Sequence, residues 1–128
     1  MPYCFSKTLD TPFADAVERA KAALSARGFG VLTEIDVAGT MKAKLHIDMA
    51  PYRILGACSP QHAYAALQAE PKIGAMLPCN VIVRETAPGR VEISAIDPIA
   101  SMQAVDNPGL GAVAHEVQDL LKAVIEDV

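Results

Sequence analysis

The stretch "LGACSPQHAYAALQAEPKIGAMLPCNVIVRE", Leu55–Glu85, decides how this chain folds. It runs from one short apolar segment ending at Cys58 to another opening at Cys79. Ser59 stands where a helix N-cap would, and Pro60 suits the first helical position, so a helix is expected from Pro60 to about Glu70. Pro71, Gly74 and Pro78 make the next segment irregular. If the flanking strands run antiparallel, the end of one lies beside the start of the other and the two sulfurs meet at one rim. A parallel crossover would put them at opposite ends, and the length of the connection allows both.

Outward from this stretch, the helices are clearer than the strands. Residues 3–8 read weakly as a strand. "DTPFADAVERAKAALSARGFG" (10–30) predicts a helix over 12–27, with Thr11 as cap, Pro12 at its first position and Gly28 as its left-handed stop. Phe13, Val17, Ala20 and Leu24 share one face of it. Phe29, Val31, Thr33, Ile35 and Val37 then alternate with polar or small residues, as in a half-buried strand. Over 39–49, Met41, Ala43, Leu45, Ile47 and Met49 alternate like an exposed strand, yet Met41, Leu45 and Met49 also fit a short helix capped by Thr40. Periodicity does not choose between these.

Residues 52–58 are expected as a strand. Val81 and Val83 start another, which turns at "APG" (87–89) into Val91, Ile93 and Ala95. Asn107-Pro108 opens a C-terminal helix over 109–126, with Leu110, Val113, Val117, Leu120 and Val124 inward. Two long amphipathic helices bracketing short strands predict an α+β fold, a two-layer sandwich with a mainly antiparallel sheet covered by helices.

At 128 residues the chain suits one domain spanning 1–128. Its apolar fraction is 52%, which is ample for a packed core. The net charge is −4 and the pI about 5.2, and the 11 Lys and Arg are scattered, so neither nucleic acid nor an anionic membrane is an expected partner. No signal peptide or apolar run of spanning length is visible. The three cysteines are an odd number, so reduced thiols and a cytoplasmic location are expected.

The candidate site gathers around Cys58 and Cys79, with Ser59, His62 and Asn80 beside them. The partial positive charge of a helix start favours a thiolate at Cys58 by about 0.3–1 kcal/mol. His62, one turn inside that helix, is expected exposed at the same rim. The plainer reading is that both cysteines are small core hydrophobes. Zinc is disfavoured because there is no C-x-x-C pair, whereas haem or another planar ligand with a His or Cys axial group is compatible with a groove here. Asp97 before Pro98 reads most simply as starting a turn, with a catalytic carboxylate as the lesser alternative. His46 and His115 fall on polar faces, and "GFG" lacks the further glycine and helix that a dinucleotide loop needs.

Gly56, Cys58, Pro60, Ala63, Ala66, Leu67, Pro71, Gly74, Leu77, Pro78, Cys79, Val81, Val83 and Glu85, then Asp97 and Pro98, resemble the family known as domain of unknown function 302. "GFGV" (28–31) and "PYRILGA" (51–57) fit as well, and Ser59 departs from the asparagine the family often has there. The resemblance implies a TATA-binding-protein-like sandwich without DNA binding, a helix over 39–49 and a homodimer. It brings no activity, only similarity to domains found beside sulfur-transfer proteins in some sulfur-oxidising bacteria. Three functional classes follow: a dimeric small-ligand-binding or sensor domain, a thiol-dependent redox or sulfur-transfer protein using Cys58 or Cys79, and a structural interaction domain.

Overall fold

A computed structural model of the chain describes residues 2–128. Five strands form one antiparallel sheet: β1 (Cys4–Asp10), β2 (Gly30–Asp36), β3 (Tyr52–Cys58), β4 (Cys79–Ala87) and β5 (Arg90–Ile96), in the order β1-β5-β4-β3-β2. The helices are α1 (Phe13–Ala26), α2 (Val37–Leu45), α3 (Pro60–Ala69), the four-residue α4 (Pro98–Ser101) and α5 (Gly111–Asp127), with short 3-10 helices at Pro71–Met76 and Pro108–Leu110. The antiparallel alternative for Leu55–Glu85 is the one adopted: β3 and β4 are neighbours, with Ala57 opposite Cys79 and Leu55 opposite Val81.

Period-2 alternation in the central strands supplies one apolar sheet face. Leu55, Ala57, Val81, Val83, Val91, Ile93 and Ala95 are all almost fully buried on it. Against them pack Ala16, Val17, Ala20 and Leu24 of α1 and Val117, Leu121, Val124 and Ile125 of α5. The small alanines let α1 approach the sheet closely as it carries the chain from one sheet edge, β1, to the other, β2. A smaller core of Ala66, Ile73 and Leu110, flanked by Leu77, Met102 and Val113, lies beneath α3. The two-layer α+β sandwich is thus present, with the helices where their apolar periodicity placed them.

Three local expectations are corrected. Thr11 does not cap α1: Pro12 occupies the cap position without a side-chain bond, and the Thr11 N–H instead donates to the Gly89 carbonyl at 2.9 Å. Over 39–49 the helical alternative is adopted only as far as Leu45, with 46–49 outside the helix, and the helix begins earlier, because Asp36 accepts from the Gly39 N–H at 2.9 Å and the Thr40 hydroxyl donates back to the Asp36 carbonyl. Val37 consequently belongs to α2. Strand β2 is not half-buried along its length, since only Val31 is partly covered within it. It is an edge strand, and it is bulged between Val31 and Thr33.

Candidate functional site

Cys58 ends β3 and Cys79 begins β4, so antiparallel pairing brings these two chain ends to one side of the sheet. Ser59-Pro60 turns the chain straight into α3, and its start stands over that rim. The Leu77–Pro78 peptide is cis and returns the chain to β4. Between the main core and the smaller one lies an apolar cavity of about 30 Å³. Cys58, Ser59, His62, Ala66, Cys79, Met102, Ala114 and Val117 are among its walls. That volume is on the order of one or two water molecules, far less than a porphyrin occupies.

All three cysteines are free thiols. Burial, followed by the nearby Cys58, pushes the Cys79 thiol up to about 11, which keeps it protonated at neutral pH. Cys4 is remote from this cavity, on β1 opposite Ile96. Its thiol is also raised, first by burial and then by the Glu92 and Asp97 carboxylates.

His62 is more enclosed than expected, its side chain being only 21% exposed. One ring nitrogen, Nδ1, lies 2.7 Å from the Ser59 hydroxyl, and Nε2 lies 2.9 Å from the Glu116 carboxylate of α5. A carboxylate can only accept, so the Glu116 contact places the proton of neutral His62 on Nε2 and leaves Nδ1 as acceptor for the Ser59 hydroxyl. Ser59 stands at the N-cap position but makes no side-chain cap bond to the helix backbone. Sequence reading missed Glu116, which is 54 residues from His62 and carries no motif that would pair them.

The structure thus gathers Cys58, Cys79, Ser59 and His62 around one cavity, but not Asn80. That residue is exposed and alternates onto the opposite sheet face from Cys79 and Val81. Asp97 is buried and structural: it caps α4 by accepting from the Ile99 N–H at 2.9 Å, and it accepts from the Gln118 side-chain amide at 3.1 Å. His46 and His115 are both exposed, and His46 is the left-handed C-cap of α2. Among the described residues, no group of three or more His, Cys, Asp and Glu side chains is placed to hold a metal ion. Nor is any described helix long and apolar enough to cross a membrane.

A crystal structure of an uncharacterised conserved DUF302 protein from Bacillus stearothermophilus superposes on this fold with a TM-score of 0.90. The two share 25% identity over 99% of this chain and 98% of that one. No curated protein matches the sequence. The model of the family described as domain of unknown function DUF302 matches residues 5–128, and the chain belongs to that family.

Proposed function

We propose that this protein binds a small, largely apolar ligand, as a carrier or sensor, in the cavity at the Cys58/Cys79 rim. The observation that carries the reading is the composition of that cavity: apolar walls from β3, α3, α4 and α5, with two thiols, one imidazole and the Ser59 hydroxyl as its polar groups. Such a space favours a compact apolar group, and the few polar atoms at its edge set the ligand's orientation. At about 30 Å³ it takes a group of a few heavy atoms without wall movement. Titration with xenon or isopropanol, followed by amide NMR, is the direct test. Saturable shifts confined to Ala66, Cys79 and Ala114 are expected, and Ala66→Leu should abolish them by filling the space. Shifts spread evenly over the surface would overturn the reading.

The two thiols sharing one cavity favour a second reading, thiol-dependent redox or sulfur-transfer chemistry. Because Cys79 is held protonated, Cys58 is the nucleophile in that case. One rapidly alkylated thiol at neutral pH, mapped to Cys58, would support it.

The ligand-binding unit is proposed to be a homodimer. Helix α2 has no buried residue, and Leu32, Ile35, Leu45, Ile47 and Met49 are all exposed around it and edge strand β2. A second copy would cover this apolar surface.

A further inference from the structure

We propose that Ser59, His62 and Glu116 form a nucleophile–base–carboxylate chain that hydrolyses short-chain acyl esters, with the acyl group seated in the apolar cavity. The inference rests on the cavity reading above and adds an activity to it. Its basis is a linked pair of hydrogen bonds, Ser59 Oγ to His62 Nδ1 at 2.7 Å and His62 Nε2 to Glu116 Oε2 at 2.9 Å. Activation of a serine requires a base within hydrogen-bond reach and a third group that orients the base. Both distances meet that requirement, and the Glu116 contact selects the tautomer whose free lone pair faces the serine.

A purely helix-capping role accounts for less. An N-cap serine ordinarily accepts a backbone N–H from the second or third helical residue, and Ser59 makes no such bond. Its hydroxyl is committed to an imidazole at the mouth of a cavity instead. The first turn of a helix also leaves backbone N–H groups without an intrahelical acceptor, and those of Gln61 and His62 are the donors nearest in sequence for a developing oxyanion. Pro60, which has no N–H, contributes none.

The steps balance without a further reagent. Ser59 Oγ bonds to the ester carbonyl carbon as its proton passes to His62 Nδ1. The ester C–O bond breaks, and the departing alkoxide takes that proton. Water then adds to the acyl carbon while giving a proton to His62, and Ser59 leaves as the hydroxyl when that proton returns. Glu116 is a positioning residue, since it acts through its contact with the imidazole. It is largely exposed, its side chain being 66% accessible, so water substitutes for it in part.

The test uses the full chain with p-nitrophenyl acetate and, separately, an alkyl fluorophosphonate. The expected result is turnover of the ester, with a single acetyl or phosphonyl group mapped to Ser59. Ser59→Ala should remove the labelling and slow release at least about a hundredfold, and His62→Gln by about 10²–10⁴-fold. Glu116→Gln should lower kcat less, with KM unchanged. Labelling on Cys58 or on lysines, with the rate unchanged in Ser59→Ala, would overturn the proposal, as would wild-type protein inert to both probes. If xenon still produces saturable shifts in a protein inert to both, the cavity reading stands and the hydrolytic one alone falls.

Discussion

Gly56 shows how tightly the rim is built. A Cβ there would collide with Thr33 Oγ1 from β2 and come within 2.8 Å of Pro78 Cγ. Both neighbours are held, one by an adjacent strand and the other by the ring that precedes Cys79. Gly56→Ala is therefore expected to destabilise the fold by about 1–3 kcal/mol through overpacking, measured by urea unfolding, and to disturb the Cys79 amide resonance. Cys79 itself makes a pH-dependent contribution. Its folded-state pKa is raised to about 11, so the stability associated with the neutral thiol is complete below the ordinary cysteine range. That stability is lost as pH rises toward about 11, because the unfolded chain releases the proton more readily. Cys79→Val should flatten this alkaline loss, and slow alkylation of Cys79 at neutral pH should accelerate on unfolding.

Among the elements, edge strand β2 is tied down by charge as well as by pairing. Glu34 of β2 contacts Lys21 of α1 at 2.6 Å and Arg53 of β3, so one carboxylate joins three elements. The hydrogen bond from Lys21 is the main reason that Glu34 lies below its ordinary range, and the same bond raises Lys21 above its own. The signs then differ. The Glu34 contribution is present above the usual carboxylate range and is lost as pH falls through the lowered folded value. The Lys21 contribution is present below the usual lysine range and is lost as pH rises through the raised one. Glu34→Gln should cost up to about 1 kcal/mol at neutral pH, as expected for partly exposed pairs. Urea midpoints of wild type and variant should converge at low pH, and high salt should narrow the gap between them.

At the scale of the whole molecule, the two sheet edges are unlike each other. On β1, Lys7 Nζ donates to the Glu126 and Val128 carbonyls at 3.0 and 2.8 Å, and so fastens the C-terminal end of α5 to that strand. Strand β2 is tied to α1 through Glu34 and Lys21, yet Leu32 at its bulge is 66% exposed. Unpaired edge strands with apolar side chains tend to associate. Light scattering at micromolar concentration should give twice the chain mass of 13.5 kDa. Leu32→Asp combined with Ile35→Asp should return the mass to 13.5 kDa with the fold retained, because both side chains are exposed in the single chain. A wild-type mass of 13.5 kDa would remove the dimer from the proposal.

Residue order by itself determined the local elements. Pro12 with Gly28 bounded the first helix, Ser59-Pro60 started the third, and the alternation of Val81, Val83, Val91 and Ile93 marked core strands, since each signal acts over a few neighbouring residues. Asp36 shows the limit of such signals: its carboxylate accepts from the Gly39 N–H and starts α2 ahead of Thr40, whose hydroxyl donates back to the Asp36 carbonyl. Only the tertiary structure decided that Cys58 and Cys79 share a cavity, because the connection between them permitted either strand direction and β3 and β4 pair antiparallel. It alone placed Glu116 against His62, a contact between helices far apart in the chain. It also removed Asn80 from the site, since a residue adjacent to Cys79 in sequence projects from the other face of the sheet. Short-range spacing encodes hydrogen-bonded elements, whereas a site assembled across a sheet and two helices depends on how those elements pack.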